Sequence, residues 1–292
     1  MSTIGRTDDL DVHAEARPTA RVPARTLPPV VRDVADPADP RLADFRDLAA
    51  ADRRPDRPGG RGLVIAEGVP VVRRLLDSPY PLRAVLGVPA RLEALAADLA
   101  AAGAPVYRAS AEVMAETVGF HLTRGVLASA DRAPEPALPD LLAAARRLVV
   151  LEGINDFENL GALFRNAAAL GADAVLLGPR CADPLHRRSV RVSMGHVLRV
   201  PFATLPEPGY LDPLRAAGFH LLALTPHPAA IPLSSVDPEL PRIALLLGAE
   251  GPGLVPETLA AADERVRIPM RSGVDSLNIA TAAAIALHHF GR

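Results

Sequence analysis

Short apolar runs alternate with amphipathic segments along residues 147–292. The runs have strand length, and the segments between them repeat apolar residues at helical spacing, as Leu160, Leu163 and Phe164 do. The pattern predicts strands at 148–151, 174–177, 220–224, 243–247 and 266–268. It predicts helices at 159–170, 211–217, 256–262 and 276–290, the last with Ser276 as its N-cap. Strands separated by helices favour a mostly parallel sheet that is covered on both faces.

A shorter version of the same alternation predicts a smaller α/β unit at residues 41–131. Its predicted strands are 62–66, 82–86, 105–107 and 125–128, and its predicted helices are 70–76 and 91–102. Residues 1–40 combine prolines with charges of both signs and no apolar period, which predicts a disordered or extended tail. Residues 132–146 begin with a proline-rich stretch, which predicts a semi-rigid linker with a short helix at 141–146.

Composition narrows the class of protein. Of the 292 residues, 49% are hydrophobic and 23% are charged, which is enough to bury a core. The single cysteine, Cys181, excludes an intramolecular disulfide and a zinc site built from several thiolates of one chain. No apolar run approaches the roughly 18 residues of a membrane-spanning helix. The N-terminus lacks a signal-type apolar core, so we expect a cytoplasmic protein.

Basic residues are all arginine, as a GC-rich genome also produces, and the net charge is −2. A net charge near zero gives no global attraction to nucleic acid, so any such contact needs a local patch. One candidate patch carries Arg180, Arg187, Arg188, Arg191 and Arg199 against a single acid, Asp183. Because arginine binds phosphate in a bidentate fork, this stretch indicates either a phosphate-binding surface or a solvated face.

Three segments rich in glycine or asparagine follow predicted strands, where ligands bind in open α/β sheets. The first has Asn159 at a helix start and Arg165 within the helix, the second is Gly248-Ala-Glu-Gly-Pro-Gly, and the third runs from Ile268 to Ser276-Leu277-Asn278. Glycines let the backbone approach a ligand, and amides at a helix start suit a polar ligand. Each segment alone is also compatible with a plain cap or turn. The glycine turn matches neither a phosphate-cradling P-loop nor the dinucleotide fingerprint.

Together, in this order and spacing, the three segments closely resemble the motifs of the SpoU-type (TrmH-like) RNA 2′-O-ribose methyltransferases of the SPOUT superfamily. The matching residues are Asn159-x-Gly161-x-x-x-Arg165, Leu-Gly248-x-Glu250-Gly251, and Ile268-Pro269 followed by Ser276-Leu277-Asn278. They cover nearly all of residues 147–292. The first unit resembles the family's accessory RNA substrate-binding domain through Ala66-Glu67-Gly68 and Gly119-Phe-His-x-x-Arg-Gly-Val-Leu-Ala.

The resemblance implies a fold, a cofactor and partners. The expected fold is a C-terminal parallel-sheet α/β domain with a trefoil knot, which breaks the usual rule against knots, plus a smaller N-terminal α/β RNA-binding-type domain. The methyl donor would be S-adenosylmethionine and no metal is implied. The protein would act as a homodimer on RNA. Ribosomal RNA is the expected substrate, because relatives with this accessory domain often act there, and transfer RNA is the alternative.

Site residues follow from the same resemblance. Catalytic roles fall to Arg165, Asn159, Ser276, Asn278 and Glu250. Cofactor contacts fall to Leu247, Gly248, Gly251, Ile268, Met270, Ser276 and Leu277. RNA contacts fall to Arg187, Arg188, Arg191 and Ser193. Arg165 matches the arginine proposed as general base in the family, but a free guanidinium has a pKa above 12. Binding the target phosphate and polarising the 2′-oxygen is an equally sound role.

Three other hypotheses compete with 2′-O-methylation. A non-catalytic RNA-binding or ribosome assembly factor could keep the fold, although the presence of Arg165, Asn159 and Ser276 argues against it. A knotted methyltransferase acting on a base is disfavoured by the same motif residues. A nucleotide-dependent dehydrogenase would need the glycine fingerprint that is missing at these turns.

Overall fold

The N-terminal part of the chain forms a five-stranded mixed sheet in the computed structural model, which describes residues 30–48 and 62–291. The strands are β1 (Val31–Asp33), β2 (Leu63–Glu67), β3 (Leu82–Gly87), β4 (Val106–Arg108) and β5 (Val126–Asp131), in the spatial order β1-β4-β3-β5-β2. Strands β1 and β3 run parallel to β4, whereas β5 runs antiparallel to β2 and β3. This unit is therefore α/β with mixed strand directions.

Part of the predicted tail belongs to this sheet. Strand β1 pairs with β4, and Arg108 on β4 forms a bidentate ion pair with Asp33 on β1 at 2.5 and 2.7 Å. A turn of 3-10 helix follows at Pro40–Phe45 and buries Leu42 and Phe45. The fold thus begins before the predicted boundary at residue 41. Residues 1–29 of the predicted tail lie outside the described residues.

Four helices accompany the mixed sheet. They are α1 (Val69–Leu76), α2 (Pro89–Glu93), α3 (Ala96–Ala100) and α4 (Ala111–Val118). The single helix predicted at 91–102 is wrong, because Leu95 leaves the helical conformation (φ −108°, ψ 3°) between α2 and α3. Arg73 on α1 donates to the Ala94 carbonyl at this break, at 2.7 Å. Helix α4 was not predicted, although Ser110 caps its start and Gly119 ends it at φ 82°.

The C-terminal part forms a seven-stranded sheet in which every strand pair is parallel. Its strands are β6 (Arg147–Glu152), β7 (Ala174–Leu177), β8 (Phe202–Thr204), β9 (His220–Leu224), β10 (Ile231–Pro232), β11 (Ile243–Gly248) and β12 (Glu264–Arg267). The spatial order is β10-β12-β9-β11-β6-β7-β8. Central strands β6 and β11 are buried along nearly their whole length, as expected for a parallel sheet covered on both faces.

Helices of the second unit begin one to three residues away from several predictions. They are α5 (Leu138–Ala144), α6 (Phe157–Ala169), α7 (Arg187–Val192), α8 (Asp212–Ala216), α9 (Pro256–Ala261) and α10 (Ile279–Phe290). Asp156, not Asn159, caps α6 by accepting from two backbone amides at 2.7 and 2.8 Å. Asn278, not Ser276, caps α10. Both corrections free the predicted caps, Asn159 and Ser276, from a role in holding helix ends.

The predicted linker is partly helical, because α5 lies within residues 132–146. Leu141 and Leu142 of α5 pack in a buried cluster with Leu148 and Val150 of β6. A second and larger cluster is shared by both units. It joins Val71 and Val72 of α1 to residues of α6, α7 and the turn after α7. The two sheets are therefore connected by a continuous apolar core.

Candidate active site

A pocket lies at the carboxyl ends of β9, β11 and β12. Its volume is about 490 Å³, within the range of small-molecule sites. Side chains of Leu224, Ile268, Leu277, Ile279 and Ala282 supply apolar walls, while the loop after β11 and the segment before α10 supply polar groups. The pocket lining is Leu224, Thr225, Pro226, Gly248, Ala249, Glu250, Gly251, Gly253, Ile268, Met270, Ser276, Leu277, Asn278, Ile279 and Ala282.

Six of the seven predicted cofactor residues line this pocket. The exception is Leu247, which is fully buried in β11 beneath the pocket wall. Sequence reasoning missed Thr225 and Pro226, which follow β9 and close the side opposite α10. Their position directly after a buried strand was the signal that could have found them.

Gly248 shapes the loop that borders the pocket. A Cβ at this position would lie 2.2 Å from the Gly253 carbonyl carbon and the Leu254 nitrogen. The loop folds back on itself there, with a backbone bridge between Ala249 and Gly253. Any side chain at 248 would push this loop away, so glycine is required for the turn itself.

Asn278 joins the three motif segments. Its Nδ2 donates to Asn159 Oδ1 at 2.8 Å and to Glu250 Oε1 at 2.9 Å. Its Oδ1 accepts from the Ala280 and Thr281 amides at the start of α10. One side chain thus caps a helix and links α6, the β11 loop and α10 at the pocket rim. The amide orientation follows from these contacts, because Oδ1 faces donors and Nδ2 faces acceptors.

The other two predicted catalytic residues, Arg165 and Ser276, are exposed. Arg165 lies on α6, less than two turns beyond Asn159, and makes no hydrogen bond or ion pair to the part of the chain that the structure describes. Ser276 lines the pocket, and no protein group in the described ranges binds its hydroxyl. Of the five predicted catalytic residues, the structure brings Asn159, Glu250 and Asn278 into direct contact and leaves these two available.

Glycine at 161 brings α7 against α6. A Cβ on Gly161 would lie 2.8 Å from the Ser189 carbonyl oxygen and from Val192 Cβ. Ser189 in turn donates from its hydroxyl to the Phe157 carbonyl at 3.2 Å. The motif glycine therefore serves helix packing, and it fixes the basic segment beside the helix that carries Arg165.

A buried carboxylate, Glu152, anchors the base of the β11 loop. It is 1% exposed and accepts from Tyr210 at 2.7 Å, Thr258 at 2.6 Å and the Val255 amide at 3.1 Å. Burial, together with this carboxylate, raises the pKa of Tyr210. The pKa of Cys181, beside the same strand end, is also raised by burial. Sequence analysis assigned Glu152 no role, because its partners come from distant parts of the chain.

The predicted RNA-binding residues have different environments. Arg187 is paired with buried Glu67 on β2 at 3.0 Å and lies over the Phe120 ring at 4.8 Å. Burial lowers its pKa from the usual value. Arg188 pairs with Glu158 at 3.0 Å on the surface. Arg191 is half-buried and has no partner among the described residues.

Ser193 corrects the predicted RNA-binding set. Its side chain is fully buried, its hydroxyl donates to the Val190 carbonyl at 3.0 Å, and it accepts from the Val197 amide at 3.4 Å. It holds the turn after α7 and presents no group to RNA. Within residues 30–48 and 62–291, no group of three or more His, Cys, Asp or Glu side chains could hold a metal ion. No helix in these ranges is long and apolar enough to cross a membrane.

A parallel α/β sheet has a pocket lined by the second and third segments, and the first segment is tied to its rim through Asn278. Comparisons with known proteins identify the class of protein that this arrangement defines. The profile of the SpoU rRNA Methylase family matches residues 146–288. An uncharacterized tRNA/rRNA methyltransferase of Mycobacterium tuberculosis is 57% identical over 273 residues, which is 89% of this chain and 94% of that protein. A 23S rRNA (guanosine-2′-O-)-methyltransferase of Burkholderia sp. is 32% identical over 68% of this chain and 81% of its own.

A solved structure resembles most of the chain. It is the AdoMet-bound rRNA methyltransferase of Sinorhizobium meliloti, with a TM-score of 0.76 and 27% identity over 89% of this chain and 97% of that chain. The chain belongs to the SpoU family of RNA methyltransferases. The predicted family and the parallel α/β fold are confirmed. The predicted enzyme class, RNA 2′-O-ribose methyltransferase dependent on S-adenosylmethionine, is confirmed with them.

Proposed function

We propose that the protein methylates a ribose 2′-hydroxyl of ribosomal RNA at the rim of the β9–β11–β12 pocket. The observation that carries the proposal is the Asn278 side chain, which ties Asn159 and Glu250 together at the pocket rim. The helix that carries Asn159 also carries Arg165, which is exposed and has no ion pair within residues 30–48 and 62–291. Hydrogen bonds among Asn159, Glu250 and Asn278 preorganise these side chains. The Arg165 guanidinium has no ion pair in the described residues, so it is available to bind a charged substrate.

The pocket suits S-adenosylmethionine in size and chemistry. Apolar walls formed by Ile268, Leu277 and Ile279 match a flat aromatic ring, and the narrow β11 loop at Gly248 brings backbone amides and carbonyls to its edge. Leu247, Gly248, Gly251, Ile268, Met270, Ser276 and Leu277 remain the proposed contacts. When bound, the cofactor supplies an electrophilic methyl group on a sulfonium.

The residues at the rim orient the nucleophile. Arg165 would bind the phosphate next to the target ribose and polarise the 2′-oxygen, which would orient the hydroxyl toward the methyl group that the cofactor supplies. Asn159 and Asn278 hold their positions through each other and through Glu250. Ser276, exposed and lining the pocket, binds the ribose hydroxyl region. The apolar walls exclude water, which strengthens each of these interactions.

Transfer of labelled methyl from S-adenosylmethionine to RNA that lacks its own modification tests the proposal. Wild type, Arg165→Ala and the control Arg215→Ala are run together, and the product is digested to nucleosides. Arg215 is an exposed arginine on α8 that donates to the Ala261 carbonyl and pairs with Asp212, and it does not line the pocket. We expect a 2′-O-methyl nucleoside from wild type and the control, and a loss of about 100-fold or more with Arg165→Ala.

The size of the labelled RNA separates the substrate alternatives. Label in ribosomal RNA supports the proposal, whereas label confined to transfer RNA would replace ribosomal RNA by transfer RNA as the substrate. No label on any RNA together with no binding of S-adenosylmethionine would favour a non-catalytic RNA-binding or assembly factor. Label in a base-methylated nucleoside would overturn the proposed ribose chemistry.

We also propose that the protein is a homodimer. Ile285 is an exposed apolar residue on the alanine-rich helix α10, which suits close packing against a second copy. Sedimentation equilibrium is expected to give twice the mass of one chain, and a monomer at micromolar concentration would contradict it. The trefoil knot and the cytoplasmic location stay predictions.

A further inference from the structure

The arginines near the active site divide into two groups by their partners. Arg180, Arg187 and Arg188 each face a glutamate, and Arg132 pairs with Asp183. Arg74, Arg165 and Arg199 form no ion pair with an acidic residue in the part of the chain that the structure describes. Internal partners already neutralise the first group. The second group is the one with charge left over for an external anion.

These three arginines lie on elements that contact or adjoin the 3-10 turn His196–Leu198 after α7, because α1 and α6 both pack on this turn and Arg199 directly follows it. Arg74, Arg165 and Arg199 all act on the His196 imidazole, and burial together with these three charges lowers the pKa of His196 from its usual value. They come from three places: α1 of the N-terminal unit, α6 of the C-terminal unit, and the residue after the turn itself. No hydrogen bond to the imidazole is formed within the described ranges.

Packing holds Arg74 of the N-terminal unit against this turn of the C-terminal unit. Arg74 donates from Nη1 to the Met194 carbonyl at 2.8 Å, two residues before His196. Gly195, at φ 83°, lies so close to α1 that a Cβ there would be 3.1 Å from Val71 Cγ1 and 3.3 Å from Arg74 Cβ. Arg74 is therefore held at the turn by its neighbours, and it reaches the site only because the two units pack together.

The charges of Arg74, Arg165 and Arg199 all act on the His196 imidazole, and none of the three arginines pairs with an acid in the described part of the chain. Guanidinium groups cannot release a proton in a protein, so an anion is the natural partner. Arginine recognises phosphate oxygens by paired hydrogen bonds. The geometry points to a phosphate-binding site formed by Arg74, Arg165, His196 and Arg199, which holds the RNA backbone at the junction of the two units.

This inference rests on the proposed function for its choice of RNA as the source of phosphate. It adds to that function a contribution from the N-terminal unit, since Arg74 belongs to α1. The site would hold a backbone phosphate across both units while the 2′-hydroxyl is at the pocket rim. Arg74 would thus contact RNA directly, although it lies far in sequence from the predicted basic patch.

Binding of a fluorescent oligouridylate over a range of salt concentrations tests the site, with the intact protein. Arg74→Gln removes the charge, and Arg73→Gln is the matched control on the same helix, because Arg73 is exposed and paired with Asp98 at 2.9 Å. We expect Arg74→Gln to weaken binding several-fold at low salt. The slope of log affinity against log salt should fall by about 0.7, the value for one phosphate contact of a single strand.

A second variant guards against a folding defect. Arg199 is exposed and unpaired in the described ranges, so Arg199→Gln should fold normally and reduce the slope in the same way. Slopes equal to wild type in both Arg74→Gln and Arg199→Gln would overturn the site. So would an equal loss in Arg73→Gln, because it would mark a general charge effect.

Methyl transfer is measured in parallel so that the two failures can be told apart. Only the phosphate site would be overturned if the wild type methylates RNA while Arg74→Gln and Arg199→Gln both keep the salt slope of the wild type. A wild type that methylates no RNA would overturn the proposed function, and the oligouridylate slopes would still decide whether this site binds phosphate.

Discussion

The two sheets of the molecule are built from the same kinds of element but differ in strand direction. In the seven-stranded sheet all pairs are parallel, so the loops after the strands all lie at the same end of the sheet. In the five-stranded sheet β5 is antiparallel to β2 and β3, so the loops that follow these strands lie at both ends of the sheet. The second and third motif segments line the pocket at this end of the parallel sheet, and Asn278 links the first segment to them through Asn159. Strand direction thus explains why the pocket belongs to the C-terminal unit.

Charges differ between the two regions in a related way. Several exposed arginines of the N-terminal unit pair with acids of the same unit, as Arg83 does with Asp44 and Asp131 and Arg108 does with Asp33. At the junction, buried Glu67 neutralises Arg187, while Arg74 is left without an acidic partner among the described residues. In the proposed RNA site, the N-terminal unit therefore contributes Arg74 at the junction, and the C-terminal unit contributes the pocket. Each of the following predictions perturbs one side of this comparison.

Gly248→Ala should have the largest effect. Its methyl group would clash with the Gly253 and Leu254 backbone, so we expect a loss of about 3 kcal/mol in the free energy of unfolding and no measurable cofactor binding. Urea denaturation and calorimetric titration with S-adenosylmethionine measure these. Gly218→Ala is the control, since φ is +77° there with nothing within 4 Å. It should lose about 1 kcal/mol from backbone strain and still bind cofactor.

Asn278→Asp should lower kcat by about 100-fold with little change in stability. The aspartate keeps the Oδ1 cap of α10 but loses the Nδ2 donor, and it places a second carboxylate beside Glu250. Steady-state kinetics and thermal unfolding separate the two effects. Asn166→Asp, which loses only the bond from Nδ2 to the Ala280 carbonyl, is the control. Equal activity in Asn278→Asp and wild type would contradict the proposed role.

Glu67→Gln tests the junction from the N-terminal side. It removes the charge that neutralises Arg187 in a largely buried pair, so we expect a loss of about 2 kcal/mol in the free energy of unfolding. Cofactor affinity should be unchanged, because the pocket lies in the other unit. Asp98→Asn breaks an exposed pair with Arg73 and should cost less than about 1 kcal/mol. Similar losses in both variants would show that the junction pair is no stronger than a surface pair.

The smallest expected effect is a pH dependence of RNA binding. The pKa of His196 is below its usual 6.5 in the free protein because of burial and of Arg74, Arg165 and Arg199. A bound phosphate opposes those charges and raises this pKa, so binding takes up a proton and affinity should increase a few-fold as pH falls below about 6.5.

Oligouridylate is a suitable probe for this measurement, because uracil does not titrate in that range. In the described part of the chain, three helices pack on the His196 turn and carry other charged groups nearby. Helix α1 carries Arg74, α6 carries Arg165, and α7 carries the half-buried Arg191. Arg187 and Arg188 of α7 are paired with glutamates. His196→Gln is expected to flatten the pH dependence. A dependence that persists in that variant would assign it to another group.

Sequence patterns predicted five of the seven strands of the C-terminal sheet and the three motif segments, but they missed β8, β10 and α7, which are short. Buried strands such as 174–177 and 220–224 coincide with the apolar runs, because a parallel strand covered on both faces must be apolar throughout. Gly161 and Gly248 belong to the motifs found in the sequence, and the structure requires glycine at both positions because a close backbone approach leaves no room for a side chain.

The tertiary structure alone decided which polar groups meet. Local spacing suggested Ser276 and Asn159 as caps, but Asn278 and Asp156 hold those helix ends, which leaves Ser276 and Asn159 for the pocket rim. The sequence grouped Arg187 and Arg188 with Arg199, yet glutamates from β2 and α6 neutralise the first two. Apolar periodicity reports what is buried and not the partner of each charge. Those partners lie up to 120 residues apart, so only packing of the two units sets which arginines stay free for an anion.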